Sequence, residues 1–116
     1  MKLWFLLLHT NKLEMSNYLL HGKLKAKEGL GAPLSSVLLE ASRALTAVKG
    51  CKLYLISADD TDNDSIWITE IWNSKEDHDN SLQIASVKSV ISKALPILDG
   101  PPKKGQELEI IGGLGI

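Results

Sequence analysis

Between Ser65 and Asn73 the chain reads IWITEIW, a strict two-residue alternation of the kind a β-strand uses. Ile66, Ile68, Glu70 and Trp72 fall on one face, and Trp67, Thr69 and Ile71 on the other. Both faces carry large apolar groups, so a sheet built on this strand is covered on both sides. A carboxylate that shares a face with two isoleucines and a tryptophan needs a partner or a shifted pKa. At Asn73-Ser74 the alternation stops and a charged helix start, KEDHDNSL, takes over. Two tryptophans, a carboxylate and a histidine, His78, therefore gather around one strand-to-helix joint.

The remaining elements read off in the same way. Residues 17–27, NYLLHGKLKAK, set Leu20, Gly22, Leu24 and Ala26 against His21, Lys23 and Lys25, giving a first strand. Glu28 to Ala32 forms a turn, and Pro33 suits the first helical position because it has no N–H to leave unbonded. Leu34, Val37, Leu38, Ala41, Leu45 and Val48 then recur as one helical stripe, with Gly50 placed for a left-handed cap. CKLYLISA is a second strand, apolar on both sides, and the acidic turn Asp59 to Asp64 joins it to the Ile66 strand as a hairpin. A second helix is predicted from Ser74 to about Leu95, with Leu82, Val87, Val90, Ile91 and Ala94 inward and Pro96 closing it. The polar loop LDGPPKKGQ leads to a last strand, Glu107 to Ile111. The order β-α-β-β-α-β predicts an α+β, ferredoxin-like sandwich, an antiparallel sheet with both helices on one face. Strands two and three are apolar on the other face too, and a second copy of the chain is the simplest cover, so a homodimer is expected.

The length of 116 residues fits one domain, placed at residues 16–116. Residues 1–15 read as an N-terminal extension. Their apolar run, Trp4 to Leu8, is too short for a secretory segment or a membrane span, and Met15 reads like a natural start. A net charge of −1 with scattered lysines argues against a nucleic-acid partner, and no segment argues for a membrane. Cys51 stands alone and cannot form an intrachain disulfide, which fits a reducing cytoplasm. No metal site is expected, because the three histidines are far apart. Asp60, Asp62 and Asp64 match the first ligand positions of a calcium loop, but Ser65 replaces its glycine and Ile71 its closing glutamate. Neither a phosphate-cradling glycine loop nor a G-x-S-x-G elbow is present.

Over roughly Ser16 to Ile116 the chain resembles the antibiotic biosynthesis monooxygenase (ABM) domain family, including its quinol monooxygenase-like members, within the dimeric α/β-barrel superfamily. The resemblance is carried by LHGKLKAKEG, GCKLYLIS and above all WITEIWNSKEDHDNSL followed by SVISKALPIL: a strand ending in E-x-W, then a helix bearing H-D-x-S-L. It implies oxygen insertion into an electron-rich aromatic, such as a quinol or polyketide phenol, with no metal, flavin or other cofactor. The implied partners are that small aromatic, molecular oxygen and a second copy of the chain. Such chemistry needs a dry apolar pocket, a group that stabilises the phenolate, and aromatic walls. Haem degradation, known in the same superfamily, is not expected, because its working Asn, Trp and His align roughly with Gly22, Ser81 and Ile91. The chain also departs from a common H-L-x-S-x-H-F stretch of the second helix, reading Ser81 to Val87 with neither histidine, so His78, one turn earlier, is the stand-in. A non-catalytic dimer that binds a small hydrophobic ligand is the alternative of a different class.

Five residues are therefore candidates. His78 and Glu70 are the candidate catalytic residues, histidine being the side chain that most readily exchanges a proton near neutrality. The plainer alternatives are a solvent-facing histidine and a glutamate paired with Lys23 or Lys25 across the sheet. Trp67, Trp72 and His21 are the candidate substrate-binding residues, against core packing for Trp72 and a polar strand face for His21.

Overall fold

A computed structural model describes residues 17–116; the extension expected at residues 1–15 lies outside the described residues. The chain forms β1 (Tyr18–Lys25), α1 (Gly31–Ala44), β2 (Cys51–Ala58), β3 (Ser65–Trp72), α2 (Lys75–Ser81), α3 (Ala85–Ala94) and β4 (Gln106–Glu109). Short 3-10 turns, Leu45–Ala47 and Leu95–Ile97, extend α1 and α3. The four strands form one antiparallel sheet in the order β2-β3-β1-β4, which is the predicted α+β, ferredoxin-like arrangement. Among the described residues no helix is long and apolar enough to cross a membrane.

The register fixes which side chains share a face. Tyr18 pairs with Trp72, Leu20 with Glu70 and Gly22 with Ile68 on β1–β3, while Tyr54 pairs with Glu70 and Ile56 with Ile68 on β2–β3. These residues face the helices, and the core beneath the helices has two centres. Ala26, Leu34, Leu38, Ile66, Ala94 and Leu98 form one; Tyr18, Leu45, Trp72 and Val87 form the other. The opposite face carries Leu19, His21, Lys23, Leu53, Leu55, Trp67, Thr69 and Ile71. Leu55 there and Leu108 on β4 are each 52% exposed.

Three elements depart from the sequence expectation. The predicted second helix is two helices. Ser81 donates its hydroxyl to the His78 carbonyl, and the Leu82 N–H bonds the Asp79 carbonyl instead of continuing the α-helical ladder. Gln83 and Ile84 follow with the same tight bonds, and Ile84 is extended (ψ 131°) before α3 begins. Gly50 is left-handed (φ +84°), but α1 has already ended at Ala44, so the glycine turns the chain into β2 rather than capping the helix. The last strand ends at Glu109 and pairs only with Tyr18–His21. Beyond it the 99–105 loop takes the edge of β1, with Asp99 N–H bonded to Lys25 O.

The start of α1 is docked on the acidic turn. Asp64 accepts the backbone N–H groups of Gly29 and Gly31, both at 3.0 Å. A Cβ on Gly31 would lie 2.0 Å from the Asn63 carbonyl oxygen, a backbone atom that cannot give way. Gly31→Ala should therefore lower stability by about 1–3 kcal/mol. Urea unfolding measures it, and a variant as stable as its parent would contradict this packing.

Candidate active site

The joint between β3 and α2 builds a cleft. Ser74 is extended and accepts the Asp77 N–H at 3.1 Å, an N-cap that starts α2 immediately after the strand. Glu76 and Asp77 in the first turn complement the positive end of the helix. The short helix then carries His78 back over the end of the sheet, with Ser81 and Leu82 on the same face one turn later. A cleft of about 180 Å³ opens there. Glu70 and Trp72 of β3 and Tyr54 of β2 line its sheet side; Ala41, Leu45, His78, Ser81, Leu82, Val87 and Ile91 line its helix side. Leu82 and Ile91, expected inward, are partly open to solvent because they form this rim.

Three of the five candidate residues meet here. Trp72 is wholly buried and donates its indole N–H to Glu70 Oε1 at 3.0 Å. His78 Nε2 lies 3.9 Å from the same oxygen, and the side chains of Glu70 and His78 are only 13% and 14% exposed. The imidazole stands edge-on to Trp72 (5.6 Å between centroids, 82°) and tilted against Tyr18 (5.5 Å, 49°). Its Nδ1 is 2.9 Å from Asp79 Oδ1. Burial pushes the Glu70 carboxyl above its ordinary pKa, opposed by the Trp72 N–H and by the charge of His78. Burial likewise raises the Tyr54 phenol, helped by the Glu70 charge nearby. Among the described residues no lysine or arginine lines the cleft.

The other two candidates lie on the opposite face of the sheet. His21 stacks on Trp67 (5.1 Å, 16°), and its Nδ1 is 3.0 Å from Thr69 Oγ1. Trp67 donates its indole N–H to Asp59 at 2.9 Å, and Lys23 sits 5.8 Å over the indole ring. A Glu70 pairing with Lys23 or Lys25 is thus ruled out by parity: both lysines project from the other face, and Lys25 bonds Asp62. The acidic turn serves the backbone. Asp62 accepts from Asp64 N–H, Ser65 and Lys25, and Asp64 holds the start of α1. Among the described residues no group of three or more His, Cys, Asp or Glu side chains converges to hold a metal ion.

Sequence reasoning missed Tyr18, Tyr54 and Asp79. Tyr54 could have been found by counting from the hairpin turn, because the pairing is regular from Ala58–Ile66 through Tyr54–Glu70 and shifts only further along, between Cys51 and Leu53. Tyr18 reaches His78 only because β1 pairs with β3 in this register. Its hydroxyl is tied to Glu107 Oε2 at 2.7 Å, and burial followed by that carboxylate raises the phenol's pKa.

A family model for antibiotic biosynthesis monooxygenases matches residues 17–92. No curated protein matches the chain. Among solved structures it is similar to a candidate antibiotic biosynthesis monooxygenase from Chloroflexus aurantiacus. The two are 36% identical, with 87% of this chain and 99% of that one covered and a TM-score of 0.77. A candidate antibiotic biosynthesis monooxygenase from Caulobacter crescentus is 17% identical (90% and 99% covered, TM-score 0.76). A protein of unknown function from Nitrosomonas europaea is 18% identical (86% and 94% covered, TM-score 0.71). These last two share the fold. With a family model over more than half its length and a relative 36% identical across most of it, the chain belongs to the antibiotic biosynthesis monooxygenase family.

Proposed function

We propose that the protein is a cofactor-independent monooxygenase acting on a small electron-rich aromatic, a quinol or related phenol, in the cleft above Glu70. The observation that carries this reading is a buried, burial-raised carboxyl facing an imidazole at 3.9 Å on the floor of an otherwise largely apolar cleft. A carboxylate pushed towards neutrality is a better base for a phenolic proton than an ordinary one. Glu70 takes the hydroxyl proton of the bound quinol, and His78 is placed to share it. The deprotonated ring is then electron-rich enough to reduce O2 itself. One oxygen atom enters the ring, the other leaves as water with the two hydrogens lost, and the quinol becomes a hydroxyquinone. Leu45 and Val87 line the cleft with buried apolar surface, so charge on the ring is felt strongly by the few polar groups present.

The open sheet face suits a second copy of the chain. Leu55 and Leu108 are half-exposed there beside the partly exposed Leu19 and Leu53, an apolar patch on a sheet face. In this reading Trp67 and His21 belong to the dimer seam and not to the substrate cleft. A binding protein without turnover is the second reading, favoured by the bond that already ties Glu70 to Trp72.

Oxygen-electrode assays with menadiol separate the two. Uptake faster than the spontaneous rate, reduced about 100-fold or more in His78→Ala, supports the oxygenase; uptake at the spontaneous rate leaves only binding. Size-exclusion chromatography should give a dimer at micromolar concentration, and a monomer would overturn the covered-face argument. Stability gives a further check on Glu70. Its folded pKa is raised, so below the ordinary carboxylate pKa its neutral form costs nothing, and the penalty grows as pH rises through the folded pKa. Glu70→Gln, which keeps an acceptor for Trp72, should therefore gain in Tm relative to the parent over the range of pH rising from the ordinary carboxylate pKa of about 4. A constant difference across that range would show that the carboxyl is not burial-shifted.

A further inference from the structure

We infer that Asp79 is a positioning residue: it holds His78 in the tautomer protonated at Nδ1, so that the Nε2 lone pair faces Glu70 and the cleft. An ionised carboxylate can only accept, so the 2.9 Å contact between Asp79 Oδ1 and His78 Nδ1 requires the proton on Nδ1. A neutral imidazole then carries its lone pair on Nε2, the nitrogen that lies 3.9 Å from Glu70 Oε1. The ring packs on the neighbouring cross-strand pair Trp72 and Tyr18, edge-on to the first and tilted against the second, which limits its freedom to turn. The charged groups around it are Glu70 on β3, Asp79 and Lys75 on α2, and Glu107 on β4, which reaches it through Tyr18. Lys75 Nζ is 3.6 Å from Asp79 Oδ2, leaving Oδ1 for the imidazole. The bond to His78 also holds the Asp79 carboxyl below its usual pKa, which keeps it an acceptor.

The consequence for function rests on the oxygenase reading: a proton arriving at Glu70 finds an imidazole nitrogen ready to accept it, with the outer nitrogen anchored at the surface. The tautomer itself does not depend on that reading. Long-range 1H–15N NMR of the labelled protein at mildly alkaline pH assigns the protonated ring nitrogen without any substrate. The parent should show His78 protonated at Nδ1, and Asp79→Ala should move the population towards the Nε2-protonated form that free histidine prefers. Asp79→Glu, which can reach the same nitrogen, should restore the parent pattern. In menadiol assays Asp79→Ala should lower kcat roughly tenfold with KM little changed, a fraction of what a full proton-transfer group supplies. A parent His78 protonated at Nε2, or a tautomer unmoved in Asp79→Ala, overturns the inference. If Asp79→Ala does not fold, the parent spectrum alone decides. Absent oxygen uptake together with the expected tautomers would sink the oxygenase and leave the role of Asp79 standing.

Discussion

The bond from the Trp72 indole to Glu70 organises the end of this protein that holds the candidate site. An indole with no exposed surface needs an acceptor for its N–H, and the residue two places earlier on the same strand face supplies one. The arrangement draws a carboxylate under the helices, where its charge is poorly solvated. The second core centre, Tyr18, Leu45 and Val87 with Trp72, packs around this pair. The cleft is what remains between that centre and the α2–α3 link. One side chain thus serves the core with its ring and the site with its N–H, and the carboxyl at the floor of the cleft has a structural reason to be there.

Much of this was legible in the sequence because strand parity is a local property. The alternation of β3 alone separates Trp67 from Glu70 and Trp72, and the structure keeps them on opposite faces. The order of elements and the strand-to-helix joint also read directly. What parity cannot supply is register. Whether Lys23 or Tyr18 would stand near Glu70 depends on how β1 slides against β3, and no local pattern in either strand states that offset. The stacking of His21 on Trp67 follows from the same offset. The break between α2 and α3 escaped for another reason: Leu82-Gln83-Ile84 contains neither glycine nor proline. There the α-helical ladder gives way to i→i−3 bonds from Leu82, Gln83 and Ile84, a change that no residue type in the run announces.

The outer edge of the sheet is secured by charge instead of by burial. All four residues of β4 are exposed, and Glu107 among them accepts from Tyr18, Lys75 and Lys104 at 2.7, 3.1 and 2.6 Å. Those donors, Lys104 foremost, hold its carboxyl down to about 2. The edge strand is therefore tethered both to its neighbour β1 and to the start of α2, and charged residues along an edge discourage further strands from adding to it.

The shortness of α2 has a thermodynamic consequence. Seven residues are far below the dozen or more that an isolated helix needs in water, so α2 depends on the Ser74 cap and on the seat of the His78 ring against Tyr18 and Trp72. That seat is also one side of the cleft. The order of this one seven-residue segment and the shape of the cleft are therefore set by the same contacts.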